Sequence, residues 1–268
     1  MTCRTAVALA LGLSLLVSCA HRPPTTVPAL LDRVMPAPVL MLGEQHDAAE
    51  HQALQRDVVL ALARRDQLGA VVMEMIEQGR STQGLPATAD EASVREALGW
   101  TDQGGWPWPV YGPVVMAAVR SGVPVNGGNL PRAQMRGTMG QAELDGLVSE
   151  SVLQRQRDGI RESHCGLLPE SQIAPMTRIQ LARDRAMAQT VAQAVIPGKT
   201  VLLVAGNGHV REDLGVPLHL PASVGHKVVM AQAGTAKDAG APPADAVWQT
   251  PALPPRDHCA ELRQQIKR

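Results

Sequence analysis

The 268-residue chain has no phenylalanine, one tyrosine and four tryptophans. An interior without Phe has to be built from Leu, Val, Ala and Met. Position then makes the few aromatics conspicuous. Tyr111 and the group Trp100, Trp106 and Trp108 share one short stretch, a concentration that suits a surface or a pocket. Charge of one sign is missing as well: 25 basic residues face 25 acidic ones. A near-neutral chain has no electrostatic footprint for nucleic acid. Long apolar runs are lacking beyond residues 6–17, so no other segment reaches membrane-spanning length.

That one run has the anatomy of an export signal. Arg4 precedes it and Leu16-Val17-Ser18-Cys19 follows, matching the lipobox before an acylated cysteine. Residues 1–18 are expected to be a lipoprotein signal peptide, with Cys19 lipidated and residues 19–36 a linker. An ordinary cleaved signal with a chance cysteine, or an uncleaved anchor, is the alternative. Residues 21–28, His-Arg-Pro-Pro-Thr-Thr-Val-Pro, suit an extended tether. Membrane contact would then be through lipid alone.

Cysteine is scarce too. Cys3 leaves with the signal and Cys19 takes the lipid, which leaves Cys165 and Cys259. An exported compartment is oxidising, so a disulfide is favoured over two buried thiols or a metal site. In the chain-entropy model it is worth about 4–5 kcal/mol.

What is present organises around residues 38–51, Pro-Val-Leu-Met-Leu-Gly-Glu-Gln-His-Asp-Ala-Ala-Glu-His. Residues 39–42 form an unbroken apolar run, the mark of a strand buried on both faces. Gly43 breaks it. Asp47 can cap a helix running through Leu54, Val58 and Leu62. Further strands are expected over 69–75, 123–126 and 200–205, with short ones at 218–220, 227–230 and 246–248. Helices are expected over 91–98, 111–121, 144–160 and 174–195, and residues 251–268 are expected to be a tail pinned by Cys259. Strands alternating with helices give an α/β class: one domain, residues 37–268, with a mostly parallel central sheet flanked by helices.

Two strands end alike. Gly43-Glu44-Gln45-His46 follows the first, and Gly206-Asn207-Gly208-His209 follows residues 200–205. Composition alone yields about one Gly-x-x-His by chance, so two at buried strand ends carry more weight. Glu74 closes a third strand. His46, His209 and Glu74 have the content of a divalent metal site, with Glu74 as ligand or general base. The bland reading makes both histidines turn residues and Glu74 part of an ion pair. His51, one turn beyond His46, is a further ligand or a solvated helix histidine. Asn129 and Arg132 suit an anion or cap the next turn. Arg183 and Asp184 suit a structural ion pair. Glu44 and Glu77 are expected to be solvated.

These residues together carry a resemblance. Residues 42–47 with His51, Glu74-Met75, Tyr111-Gly112-Pro113, residues 128–132, Arg183-Asp184 with Met187-Ala188, and Gly206-Asn207-Gly208-His209 with Gly215-Val216-Pro217 look like the ChaN family of haem-binding lipoproteins. That family shares a superfamily with Tiki proteases, TraB-type proteins and erythromycin esterases. The resemblance implies a parallel α/β fold, attachment to the periplasmic face of an outer membrane, and haem binding in iron acquisition. It implies haem at a homodimer interface on a tyrosine ligand, a position matched by Tyr111, with Trp106 and Trp108 against the porphyrin and an outer-membrane haem receptor as partner. A phenolate is a sensible ligand for ferric haem. The metalloprotease members imply the alternative, a metal-dependent hydrolase using His46, Glu74 and His209.

Overall fold

Six strands run in one direction. β1 (Val39–Glu44), β2 (Leu68–Glu77), β3 (Val125–Asn129), β4 (Thr200–Gly206), β5 (His226–Ala233) and β6 (Ala246–Thr250) form a single sheet in the order β3-β2-β4-β1-β5-β6, every pair parallel. The arrangement comes from a computed structural model that describes residues 23–102, 105–235 and 244–266. The expected signal segment and Cys19 lie outside the described residues.

The strands are apolar on both faces because helices cover both. Alternation assigns each side chain to a layer. Leu40 and Leu42 of β1 join a core built with α1 (Val27–Val34), α2 (Ala49–Arg64) and α4 (Trp108–Arg120). Val39 and Met41 join the opposite core, against Met187 and Val191 of α7 (Glu170–Ala194). The same parity sends Glu44 towards α2 and α4, and Glu74 of β2 towards α7. The remaining helices are α3 (Glu91–Leu98), α5 (Arg132–Thr138), α6 (Glu150–Ser163), α8 (Asn207–Val210) and α9 (His258–Ile266). Among the described residues no helix is long and apolar enough to cross a membrane.

The α/β class and the parallel sheet are as expected, and the chain departs locally. The expected linker ends early: α1 lies inside it, capped by the Thr26 hydroxyl and burying Leu30, Leu31 and Val34. Residues 218–220 are not a strand, since Val216–His219 is a 3-10 helix begun by Pro217. β3 starts at Val125 because Pro124 has no N–H for the ladder. α6 starts at Glu150 on a Ser149 cap rather than at residue 144. Cys165 and Cys259 form the expected disulfide, Cα atoms 5.7 Å apart, which ties α9 to the end of α6.

Candidate functional site

The register sets Glu44 beside Gly206, so the turns after β1 and β4 open at one edge of the sheet. Ligands of parallel sheets bind there, outside the carboxyl ends of the strands. His46, Glu74 and His209 converge as their strand-end positions suggest. His46 Nε2 is 4.0 Å from Glu74 Oε2, and His209 Nε2 is 3.3 Å from Glu74 Oε1.

Convergence does not make a metal centre. Both Glu74 oxygens are taken: Arg183 donates to Oε1, and the Gly206 N–H donates to Oε2 at 2.8 Å. Burial raises the pKa of Glu74, but His209 and Arg183 beside it hold the carboxyl well below the usual carboxylate range. His209 is gripped on both sides, by Glu74 at Nε2 and by Asp184 at Nδ1. Burial pulls its pKa down, and the two carboxylates push it up to about 9. Both ring nitrogens of His209 are thus engaged by carboxylates within the structure. The set His46, Glu74 and His209 is therefore an ion-pair network, which corrects the expected divalent site. Among the described residues no group of three or more His, Cys, Asp or Glu is placed to hold a metal ion.

His51 is corrected as well. Its ring is buried, Nδ1 accepts the Gln45 N–H at 2.9 Å, and Nε2 pairs with Thr250 Oγ1 at 3.0 Å. Both nitrogens are spent on joining α2 to β1 and β6. Burial lowers its pKa, as befits a neutral ring.

The residue that sequence reasoning missed is Glu44. It is 2% exposed, not solvated. Oε1 accepts from Tyr111 Oη at 2.8 Å and from His46 Nδ1 at 2.6 Å. Oε2 accepts from Gln52 Nε2 at 2.6 Å and Gln55 Nε2 at 2.5 Å. Since Glu44 accepts at Nδ1, His46 carries a proton there, and its Nε2 faces Gly206 and Glu74. Burial lowers the His46 pKa, but the Glu44 hydrogen bond and the Glu74 charge more than offset this, leaving it above the ordinary 6.5.

Tyr111 is 1% exposed, with its hydroxyl committed to Glu44. Burial and then the Glu44 charge raise its pKa, so the phenolate is strongly disfavoured. The expected ligand is thus buried here, with its hydroxyl on Glu44. Trp108 does not face the site either: it is buried, with its indole N–H on Glu91 at 2.9 Å. Trp106 does, its ring 4.7 Å from that of His46 in an edge-on contact.

Trp106 also walls a cleft of about 400 Å³. Trp100, Leu98, Leu130 and Met75 supply apolar walls, Arg80, Arg132 and the Glu74-paired Arg183 supply cations, and Glu77 adds a carboxylate. Such a lining fits a flat, largely apolar macrocycle bearing carboxylates. Asn129 and Arg132 belong to it. Asn129 Nδ2 donates to the Glu74 carbonyl at 2.8 Å and its Oδ1 accepts from Arg183 Nε at 2.9 Å. Glu77, also expected to be solvated, accepts the Arg132 N–H at 3.0 Å.

Residues 30–220 match a family model described as haem-binding uptake, Tiki superfamily, ChaN. Among solved structures the chain resembles one described as cofacial heme binding to ChaN of Campylobacter jejuni, at 25% identity and a TM-score of 0.65, over 82% of this chain and 89% of that one. It also resembles the type III effector HopBA1, at 15% identity and a TM-score of 0.52, over 87% of this chain and 97% of that one, a likeness of fold alone. No curated protein matches. The chain belongs to the ChaN family of haem-binding uptake proteins in the Tiki superfamily.

Proposed function

We propose that this protein is a lipid-anchored haem carrier serving iron acquisition at the periplasmic face of an outer membrane. Cys19 would bear the lipid, two copies would enclose haem between them, and an outer-membrane haem receptor would be the partner. One observation carries the reading: a chain matched by the ChaN model over residues 30–220 has, at the carboxyl ends of its strands, a cleft with tryptophan walls and arginines in its lining. Haem would lie in that cleft with Trp106 as one wall. Cations at the rim suit propionates, and the aromatic wall suits the ring. Titration of the mature protein with ferric haem tests this. Saturable binding at one haem per chain is expected, with a shift from monomer to dimer in size-exclusion chromatography. Labelling with a radioactive fatty acid tests the anchor, and Cys19→Ala is expected to abolish the label.

A second reading rests on the Glu44–His46 pair. An imidazole held by a carboxylate at Nδ1 is the arrangement of a general base. Hydrolysis by this route needs no divalent ion. Its sign would be ester or peptide cleavage that withstands chelators and disappears in His46→Ala.

A further inference from the structure

We propose that Arg80 is the carboxylate anchor of the cleft, so that this chain selects tetrapyrroles with free propionates over the same ring esterified. The inference rests on the haem reading above and adds the residue that reads the ligand's acid groups.

Three arginines line the cleft, and their charges are not equally available. Arg183 is spent: it donates to Glu74 and, from Nε, to Asn129 Oδ1 at 2.9 Å. Arg132 lies beside Glu77, the carboxylate in the lining, which accepts its backbone N–H at 3.0 Å. Arg80 is exposed, and among the described residues its guanidinium has neither a carboxylate partner nor a hydrogen bond. A cation without a counter-ion in a partly apolar cleft favours an anionic guest. A guanidinium takes a carboxylate in two parallel hydrogen bonds.

The side chain is also held ready. Its backbone is tied into the sheet edge: the Arg80 N–H donates to the Glu77 carbonyl at 3.2 Å, and its carbonyl accepts the Gly127 N–H at 2.8 Å. Ser81 then bridges to Asn126 of β3 and donates from Oγ to Asn126 Oδ1 at 2.7 Å. The head of Arg80 lies on Gly99, the left-handed cap that ends α3, at φ 60°. A Cβ there would stand 3.1 Å from both Nε and Cζ of Arg80. Glycine suits the position twice, by its φ and by the room it leaves the guanidinium. The carbonyl end of α3 favours a cation, which keeps the head at the wall formed by Leu98, Gly99 and Trp100. That wall is stapled, because Trp100 donates its indole N–H to the Trp106 carbonyl at 3.0 Å. The tryptophan that would face the ring and the cation that would take its propionate therefore border one braced loop.

The test is titration of wild type, Arg80→Gln and Arg80→Lys with ferric haem and with its dimethyl ester, in one detergent, with a melting temperature for each protein. Wild type is expected to prefer haem to the ester. Arg80→Gln is expected to bind haem about tenfold more weakly, the size of one charged hydrogen-bonding contact, and to leave the ester unchanged. Arg80→Lys, which keeps the charge without the fork, is expected to fall between. Equal losses for haem and ester in Arg80→Gln would overturn the proposal, and a lowered melting temperature beside them would make Arg80 a brace for α3. Unchanged haem affinity in Arg80→Gln, or a wild type that binds haem and ester alike, would overturn it too. These results leave haem binding standing, whereas a wild type that takes up neither ligand removes the haem reading itself.

Discussion

Glu44 sits under the site with four donors on one carboxylate, and its loss would strand two buried glutamines and a buried phenol and unseat the His46 imidazole. Removing one member of such a buried network costs about 3–5 kcal/mol. Glu44→Ala is expected to lose stability on that scale in urea unfolding, and Glu44→Gln, which keeps an acceptor, clearly less. His209 gives a pH test. Its folded pKa of about 9 exceeds the ordinary 6.5, so its contribution is complete below 6.5 and fades as pH rises through 9. Its full size is on the order of 3 kcal/mol. Glu74 works oppositely: its depressed pKa contributes above the ordinary 4.5 and is lost as pH falls below it. Wild type is therefore expected to be most stable between these limits and to decline on the alkaline side. His209→Gln is expected to flatten the alkaline limb of the melting temperature plotted against pH. At this scale the sequence shows His46, Glu74 and His209, because glycine-bounded strand ends mark a rim. It hides Glu44, which stands in a polar turn among other polar residues. The available signal was Gln52 and Gln55, two amides on the helix face that should be apolar.

α7 does its work through adjacent residues. On a helix, Arg183 and Asp184 point about 100° apart, so one reaches Glu74 and the other reaches His209. Gln180, one turn before Asp184, also reaches His209, at 3.1 Å. A neighbouring Arg-Asp reads in sequence as a structural ion pair, and only the seating of α7 across the sheet separates their targets. The strands are the more legible elements, since their continuous apolar runs leave no alternative to burial on both faces. Their ends are set by close contacts that a sequence does not display. At the β2–β3 edge, a Cβ on Gly127 would lie 1.9 Å from the Glu77 carbonyl oxygen. Gly127→Ala must part the two strands, and a loss of about 1–3 kcal/mol is expected in thermal unfolding. Because Asn129 ends β3, haem affinity is expected to fall with it.

The order of the sheet makes one pocket from distant sequence. β4 enters between β1 and β2, so a turn near residue 46 meets a turn near residue 209. Alternation of strands and helices announces a parallel sheet but not its strand order, which depends on how the crossovers pack. The depth of Tyr111 was equally hidden, because the only tyrosine in a chain is conspicuous whether it is a ligand or a core residue. At the far end of the molecule, the disulfide closes a separation of 94 residues. The double substitution Cys165→Ala and Cys259→Ala is expected to cost about 2–5 kcal/mol, read by denaturant unfolding, and to leave haem affinity unchanged, since α6 and α9 do not line the cleft. The most direct measurement is an absorbance titration of the mature protein with ferric haem, run beside Trp106→Ala. A break at one haem per chain that is blunted in the variant is the expected result. A curve that never saturates, or that is identical in Trp106→Ala, would contradict haem binding in this cleft.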